Sequence, residues 1–320
     1  MKPYECHRYL LMTTDPVHIG TGGYRLGRVD NSIVREPGTR IPKIPGTSLH
    51  GAARSYAARL YETPGAAGQT HDEIKQPATN PVCYTFGYLQ KEEQNSDGKE
   101  ERKGYSGVVN VSDAAVLLFP VHSMYGPVWV STRHRLEDAG FTLGNNPPGE
   151  PPVDQVWCTW ERTEALNLGW LMLNTAGHGK VEITPPGNKS AMQRWEAIKE
   201  RIVVVHPSLF SHVVNSNLEV RTSVSIDPER GAAKERALFT YEALPRATFL
   251  TMDVIVDDYR GTFPSTTTTD RNNPIPGGQE WQNAMDVVDA GLRMIEWLGV
   301  GGMGTRGFGR LAVVGTWEVQ

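Results

Sequence analysis

Apolar positions recur along this chain with two periods, and they sort it into helices and strands. Trp281, Met285, Val288, Leu292, Ile295 and Leu298 fall at three- and four-residue steps, which places them on one face of a helix. Residues 48–61 predict a second helix, rich in alanine (Ala52, Ala53, Ala57, Ala58) and preceded by Pro45 and Gly46, which break the extended run before it. A shorter helix is expected at 192–199. Strands are predicted at 9–14, at 108–119 around Asp113, at 128–132, 202–205, 249–257 and 310–319, with 29–35 extended. Val220, Thr222, Val224 and Ile226 alternate with Arg221, Ser223 and Ser225, the two-residue period of a strand. Asp227-Pro228-Glu229-Arg230-Gly231 then supplies turn residues, and the chain returns through Phe239, so a projecting hairpin is expected over about 220–239.

Strand–helix–strand modules lie near both ends. They suggest an α+β fold whose ferredoxin-like core, of the RNA-recognition-motif type, is built from two halves. The whole of 1–320 is taken as one domain with inserted loops at about 62–106 and 142–155 and a closing helix plus glycine-rich loop in 281–319. The 33 glycines and 22 prolines fit many turns and short strands. Between the polar stretches of the first insertion, Cys83-Tyr84-Thr85-Phe86-Gly87 predicts a packed anchor.

Charge adds a local feature that the total hides. The chain carries 32 Lys and Arg against 36 Asp and Glu, a net charge of −4. Yet Arg25, Arg28, Arg35, Arg40, Lys43, Arg54 and Arg59 stand in one stretch against only Asp30 and Glu36. A freestanding nucleic-acid binder is often basic throughout. Mild acidity with one positive stretch instead fits a subunit that holds nucleic acid along a stripe and meets protein partners elsewhere. Cys6, Cys83 and Cys158 are isolated, which argues against a disulfide framework or zinc knuckle and for a reducing compartment. Without an apolar secretory region or a long apolar run, a soluble cytoplasmic protein with no membrane contact is expected.

Two stretches carry candidate chemistry. The helix opened by Gly46-Thr47-Ser48 offers unpaired N–H groups, with Thr47 or Ser48 as cap, a setting that suits a phosphate. The competing reading is a surface helix with solvated arginines. Gly302-Met303-Gly304-Thr305-Arg306-Gly307 spells G-x-G-x-x-G, but here the glycines follow a helix and precede a strand. A dinucleotide site needs the opposite order to aim a helix N-terminus at the phosphate, so that cofactor is excluded. Arg306-Gly307-Phe308-Gly309 matches the opening of an RRM signature, with Arg310 where a stacking aromatic would stand. The nine histidines form no metal-ligand spacing. Asp30 sits near Arg25, Arg28 and Arg35, whose charge favours its ionised form.

Three stretches together resemble the N-terminal signature of RAMP-superfamily CRISPR proteins: Pro16-Val17-His18-Ile19-Gly20-Thr21-Gly22, Val29-Asp30-Asn31-Ser32-Ile33-Val34-Arg35-Glu36, and the run from Ile44-Pro45-Gly46 to Ala53-Arg54. Leu118-Phe119-Pro120-Val121-His122-Ser123 and Ala237-Leu238-Phe239-Thr240-Tyr241-Glu242-Ala243-Leu244-Pro245 are similar to the backbone subunits of type III-B (Cmr) effectors, and the tail glycines to the superfamily's glycine-rich loop. The resemblance implies an endoribonuclease within a ribonucleoprotein, with guide RNA, target single-stranded RNA, further copies of itself and other type III effector subunits as partners. It implies Asp30 as the catalytic residue, helping a 2′-OH attack the adjacent phosphate of paired target RNA at regular intervals. A divalent metal, Mg2+ or Mn2+, is implied as cofactor, with Asp30 as a potential ligand. RNA contacts are expected from Arg28, Arg35, Thr47, Ser48, His50, Arg54, Gly302, Gly304, Arg306 and Gly307, and a hairpin thumb carrying Arg221, Arg230, Lys234 and Arg236 is expected to wedge between nucleotides. The family usually has Lys where this chain has His50, and often Arg where it has His122, so fixed positive charge is reduced at both. A non-catalytic scaffold of the same fold, and a guide-RNA processing ribonuclease of the same superfamily, are the alternatives.

Overall fold

A computed structural model describes residues 4–22, 29–68, 71–91, 102–145, 148–177, 179–187, 193–266 and 280–319. In chain order, the elements that position the site begin with β1 (Glu5–Thr13), α1 (Gly46–Leu60), β2 (Ala114–Ser123), β3 (Gly126–Ser131) and α2 (Pro207–Ser216). They continue with β4 (Glu219–Ile226), β5 (Ala233–Ala243), β6 (Phe249–Val256), α3 (Ala284–Leu298) and β7 (Leu311–Glu318). The units β1–α1–β2 and β6–α3–β7 interleave in one sheet in the order β7-β1-β6-β2, every neighbour antiparallel. That is the ferredoxin-like arrangement expected from the two ends of the chain.

Beyond β2 the sheet continues. The β2–β3 hairpin is joined in parallel by Ile202–Val204, then by Gln155–Cys158, Leu171–Thr175 and Leu166–Leu168. The last three strands were not foreseen. Both faces of the sheet are covered. On one, α1 and α3 pack over Tyr9, Leu11, Val116 and Leu250. Gly291 of α3 lies against the backbone of Ala53, where a Cβ would meet the Ala53 Cα at 2.8 Å. A side chain there would force the helices apart. On the other face, Leu10, Leu118, Trp129, Phe141, Trp157, Trp195 and Phe249 make a second core.

Local chemistry explains most boundaries and several departures from expectation. α3 starts at Ala284 because Asn283 and Asp286 form a reciprocal capping box. Trp281 therefore precedes the helix, although it is buried and stacked on Tyr61 at 5.7 Å. The strand expected at 108–119 is interrupted, since Val109–Val111 pairs with β6 and the chain then turns at Ser112 and Asp113 before β2. The first insertion is not all loop. Asn80 caps a buried helix, Pro81–Phe86, and Gly87–Lys91 pairs with Arg102–Ser106. Among the described residues no helix is long and apolar enough to cross a membrane.

Candidate nucleic-acid interface

Four stretches meet beyond the end of the large sheet where β1 finishes and β6 and β7 begin, next to the end of β5 in its separate two-stranded pairing with β4. Val17 pairs with Leu244, and Gly20 with Ile33. Asn31 pairs with Tyr241, and the Gly302 N–H donates to the His18 carbonyl at 3.0 Å. His18 is buried, with Nδ1 2.6 Å from the Glu242 backbone oxygen. A carbonyl only accepts, so Nδ1 carries the proton in this contact. The segments at 17–20, 30–35, 240–244 and 300–309 thus form one interlocked floor.

Asp30 stands exposed on that floor. Its Oδ2 accepts from the Thr240 backbone N–H at 2.7 Å and from the Thr240 hydroxyl at 2.9 Å, while its own N–H donates to that hydroxyl at 3.1 Å. These bonds, the backbone one foremost, hold its carboxyl below the ordinary value of 3.8. Among the described residues Thr240 is the leading cause. Arg25 and Arg28 lie outside the described residues. Arg35 turns inward: Nη2 bonds Glu242 at 2.8 Å, Nε bonds Asn215 of α2 at 2.9 Å, and Nη1 bonds the Ile33 carbonyl at 3.1 Å. The Arg35 and Glu242 side chains are 13 % and 10 % exposed, so this pair is a clamp beneath the floor.

The start of α1 also differs from expectation. Its N-cap is Pro45, without a side-chain cap, and the Gly46 N–H donates to Asp113 Oδ1 at 2.7 Å. Lys43 holds the other Asp113 oxygen at 2.5 Å. An internal carboxylate therefore takes the place at the helix N-terminus that a phosphate was expected to fill. Thr47 is exposed and Ser48 half-buried on that first turn. His50 meets Phe86 edge-on at 5.0 Å, and burial, aided by Arg54, pushes it below its ordinary value. Arg54 bonds the carbonyls of Ala66 at 2.7 Å and Gly87 at 2.8 Å and contacts His71, so its guanidinium ties α1 to the insertion that follows it. Of that positive stretch, Arg35, Lys43 and Arg54 are engaged inside the fold, while Arg40 and Arg59 are exposed.

The glycine loop leaves α3 at Gly299 and holds a short turn, Gly304–Arg306. Gly301 has φ +86, and a Cβ there would collide with the His18 carbonyl and Ile19. The loop touches the floor because that residue has no side chain. Gly304 and Gly307 face open space, with Arg306 exposed beside them and its guanidinium 6.0 Å from the Phe239 ring centre.

The expected hairpin is β4 paired with β5, closed by a turn in which the Gly231 N–H donates to the Asp227 carbonyl. Its two faces differ. On one, Arg221 lies 4.7 Å over Phe308, and Tyr241 packs on the same ring at 5.4 Å, which fastens the hairpin to the glycine loop. On the other, Val224 pairs with Leu238 and Thr222 with Thr240, and Val220, Val224, Ile226 and Leu238 are exposed. By strand alternation that apolar stripe shares its face with Thr240, and so rises from beside Asp30. Arg230 is exposed at the turn; the side chains of Lys234 and Arg236 lie outside the described set. Thr240, Glu242, Asn215 and Phe308 were not singled out from sequence. The alternation of Leu238, Thr240 and Glu242 could have shown that three side chains of this strand share a face with the stripe.

Among the described residues no site is preformed for the expected divalent cation. Nothing among the described residues bonds Asp30 Oδ1, and no three of their His, Cys, Asp or Glu side chains are grouped to hold a metal ion.

Comparison with known proteins agrees with the fold. The chain is 25% identical over 259 residues to the CRISPR system Cmr endoribonuclease Cmr4 of Pyrococcus furiosus, spanning 77% of this chain and 80% of that protein. A 51-residue stretch, 16% of this chain and 22% of its counterpart, is 41% identical to the CRISPR system Cms endoribonuclease Csm3 of Mycobacterium tuberculosis. A chain in the cryo-EM structure of the type III-B Cmr-beta bound to cognate target RNA superposes with a TM-score of 0.61 at 14% identity, over 97% of each chain. The crystal structure of oligomeric Cmr4 from Pyrococcus furiosus gives 0.52 at 19% identity over 99% of each. The RAMP superfamily model matches residues 10–312, more than half of the sequence, and the chain belongs to the RAMP superfamily.

Proposed function

We propose that this chain is a backbone subunit of a cytoplasmic type III-B CRISPR effector, and that it cuts target RNA paired to a guide. One observation carries the reading: an ionised, exposed carboxylate is fixed at the root of a projecting apolar ribbon, beside a glycine loop open to solvent. Guide RNA lies along the loop and Arg306. Further copies and other effector subunits extend the assembly, in keeping with a relative solved as an oligomer and another bound to target RNA.

The apolar stripe displaces a nucleotide from its stack, at a cost of a few kcal/mol that duplex and protein contacts offset. Freed from regular A-form geometry, the ribose 2′-oxygen can line up with the leaving 5′-oxygen across phosphorus. The free Oδ1 of Asp30 accepts the 2′-OH hydrogen bond and orients it. As attack proceeds, the 2′-O–P bond forms and the 2′ proton passes by way of the carboxylate to solvent, while the P–O5′ bond breaks and O5′ takes a proton from water, leaving a 2′,3′-cyclic phosphate and a 5′-hydroxyl. A carboxylate held below 3.8 is a weak base at neutral pH, so its main contribution is alignment. A divalent ion, Mg2+ or Mn2+, would supply charge stabilisation at the phosphate when bound.

The competing reading, a scaffold without catalysis, draws on the bonds to Thr240, which give Asp30 a structural use. Asp30→Asn separates the two, because the amide keeps the shape and one acceptor. In a guide-loaded complex it is expected to bind target normally and cut ~10²–10⁴-fold more slowly. Cutting at the wild-type rate would leave the scaffold.

A further inference from the structure

We propose that Thr240 is a positioning residue that registers the cut to the nucleotide displaced by the hairpin; this deepens, and rests on, the catalytic reading of Asp30. Thr240 contributes four bonds to one dipeptide. Its N–H and hydroxyl both donate to Asp30 Oδ2, its hydroxyl oxygen accepts the Asp30 N–H, and its carbonyl accepts the Asn31 N–H at 3.0 Å. One carboxylate oxygen is thereby fixed, and among the described residues nothing bonds the other.

The anchor belongs to the wedge itself. Thr240 is two residues along β5 from Leu238, on the same face, so the wedging side chain sits about 7 Å up the ribbon from the anchor. Arg221 and Tyr241, on the opposite face, hold the same ribbon against Phe308 of the glycine loop. A shift of the ribbon relative to RNA therefore carries Asp30 with it. The distance from displaced base to cut phosphate is then set within one strand.

The test uses guide-loaded complex with Thr240→Val, Thr240→Ser and Asp30→Asn subunits. Valine keeps the volume and the backbone bonds but removes both hydroxyl bonds. It is expected to leave target binding unchanged, slow single-turnover cutting about tenfold or more, and spread cuts onto neighbouring phosphates. The acid limb of the rate is expected to move upward, because one of the bonds that lowers Asp30 is gone. Serine restores rate and position to within about threefold, since it keeps the hydroxyl. A valine variant that cuts at the wild-type rate and position beside a dead Asp30→Asn would overturn the proposal alone. A serine variant as slow as valine would also overturn it, by assigning the effect to methyl packing. Full cutting by Asp30→Asn would remove the catalytic reading and the proposal together.

Discussion

Removing the Arg35 guanidinium gives a sharp test of how the floor beneath Asp30 is held. Arg35→Met deletes bonds to Glu242, Asn215 and the Ile33 carbonyl at 2.8, 2.9 and 3.1 Å. What remains is worse than the loss itself, because the Glu242 carboxylate, in a residue 8 % exposed, is left without its cation. Breaking one side of a buried pair costs about 3–5 kcal/mol, largely as the penalty of the abandoned charge. At roughly 2 °C per kcal/mol, the low end suited to a large domain, melting should fall by about 6–10 °C. Arg35→Met with Glu242→Leu removes both charges and should recover most of the loss. Calorimetry on the three chains measures this, with RNA binding against salt recorded well below the melting range. If Arg35→Met melts like the wild type while its salt slope falls by about 0.7, Arg35 is a phosphate contact and the clamp argument fails.

Arg306→Ala should lower the salt slope of RNA binding by about 0.7 without changing melting, whereas Arg54→Leu should lower melting by several degrees and leave the slope alone; exchanged behaviour would reverse their assignments. Val224→Ser with Leu238→Ser should leave guide binding intact and reduce target cutting about as far as Asp30→Asn, and retained cutting at regular spacing would remove the stripe as the wedge. Burial keeps His50 below its ordinary 6.5, so the unfolded chain binds that proton first and stability should fall as pH drops through about 6.5. The urea midpoint of His50→Asn should respond less to pH over that range, and an unchanged dependence would contradict the shift.

The halves of the core were legible because their signals are long. The face of α3 repeats over four turns, and β6 and β7 are eight residues each. The strands Leu166–Leu168 and Gln155–Cys158 span three and four residues, too few for a period to show. Asp30 could be picked out, but its anchor could not, since Thr240 is 210 residues away. The same limit misled the charge count. Arg35 finds Glu242 at a separation of 207 and Lys43 finds Asp113 at 70, so cations adjacent in sequence neutralise different, distant anions. Local chemistry predicted a hydroxyl cap on α1, but tertiary structure supplied a carboxylate instead.

The position of β1 has a consequence for the timing of synthesis. Its two neighbours in the sheet, β6 and β7, are translated 235 residues or more after Thr13, the last residue of β1. At typical elongation rates of 5–20 residues per second, the first strand waits roughly 10–50 s on the ribosome before either flank exists. The glycine loop arrives in the same late portion of the chain. A nascent subunit therefore has no RNA-holding floor to offer while it is being made, and recruitment into a ribonucleoprotein is confined to chains whose last strand has already emerged.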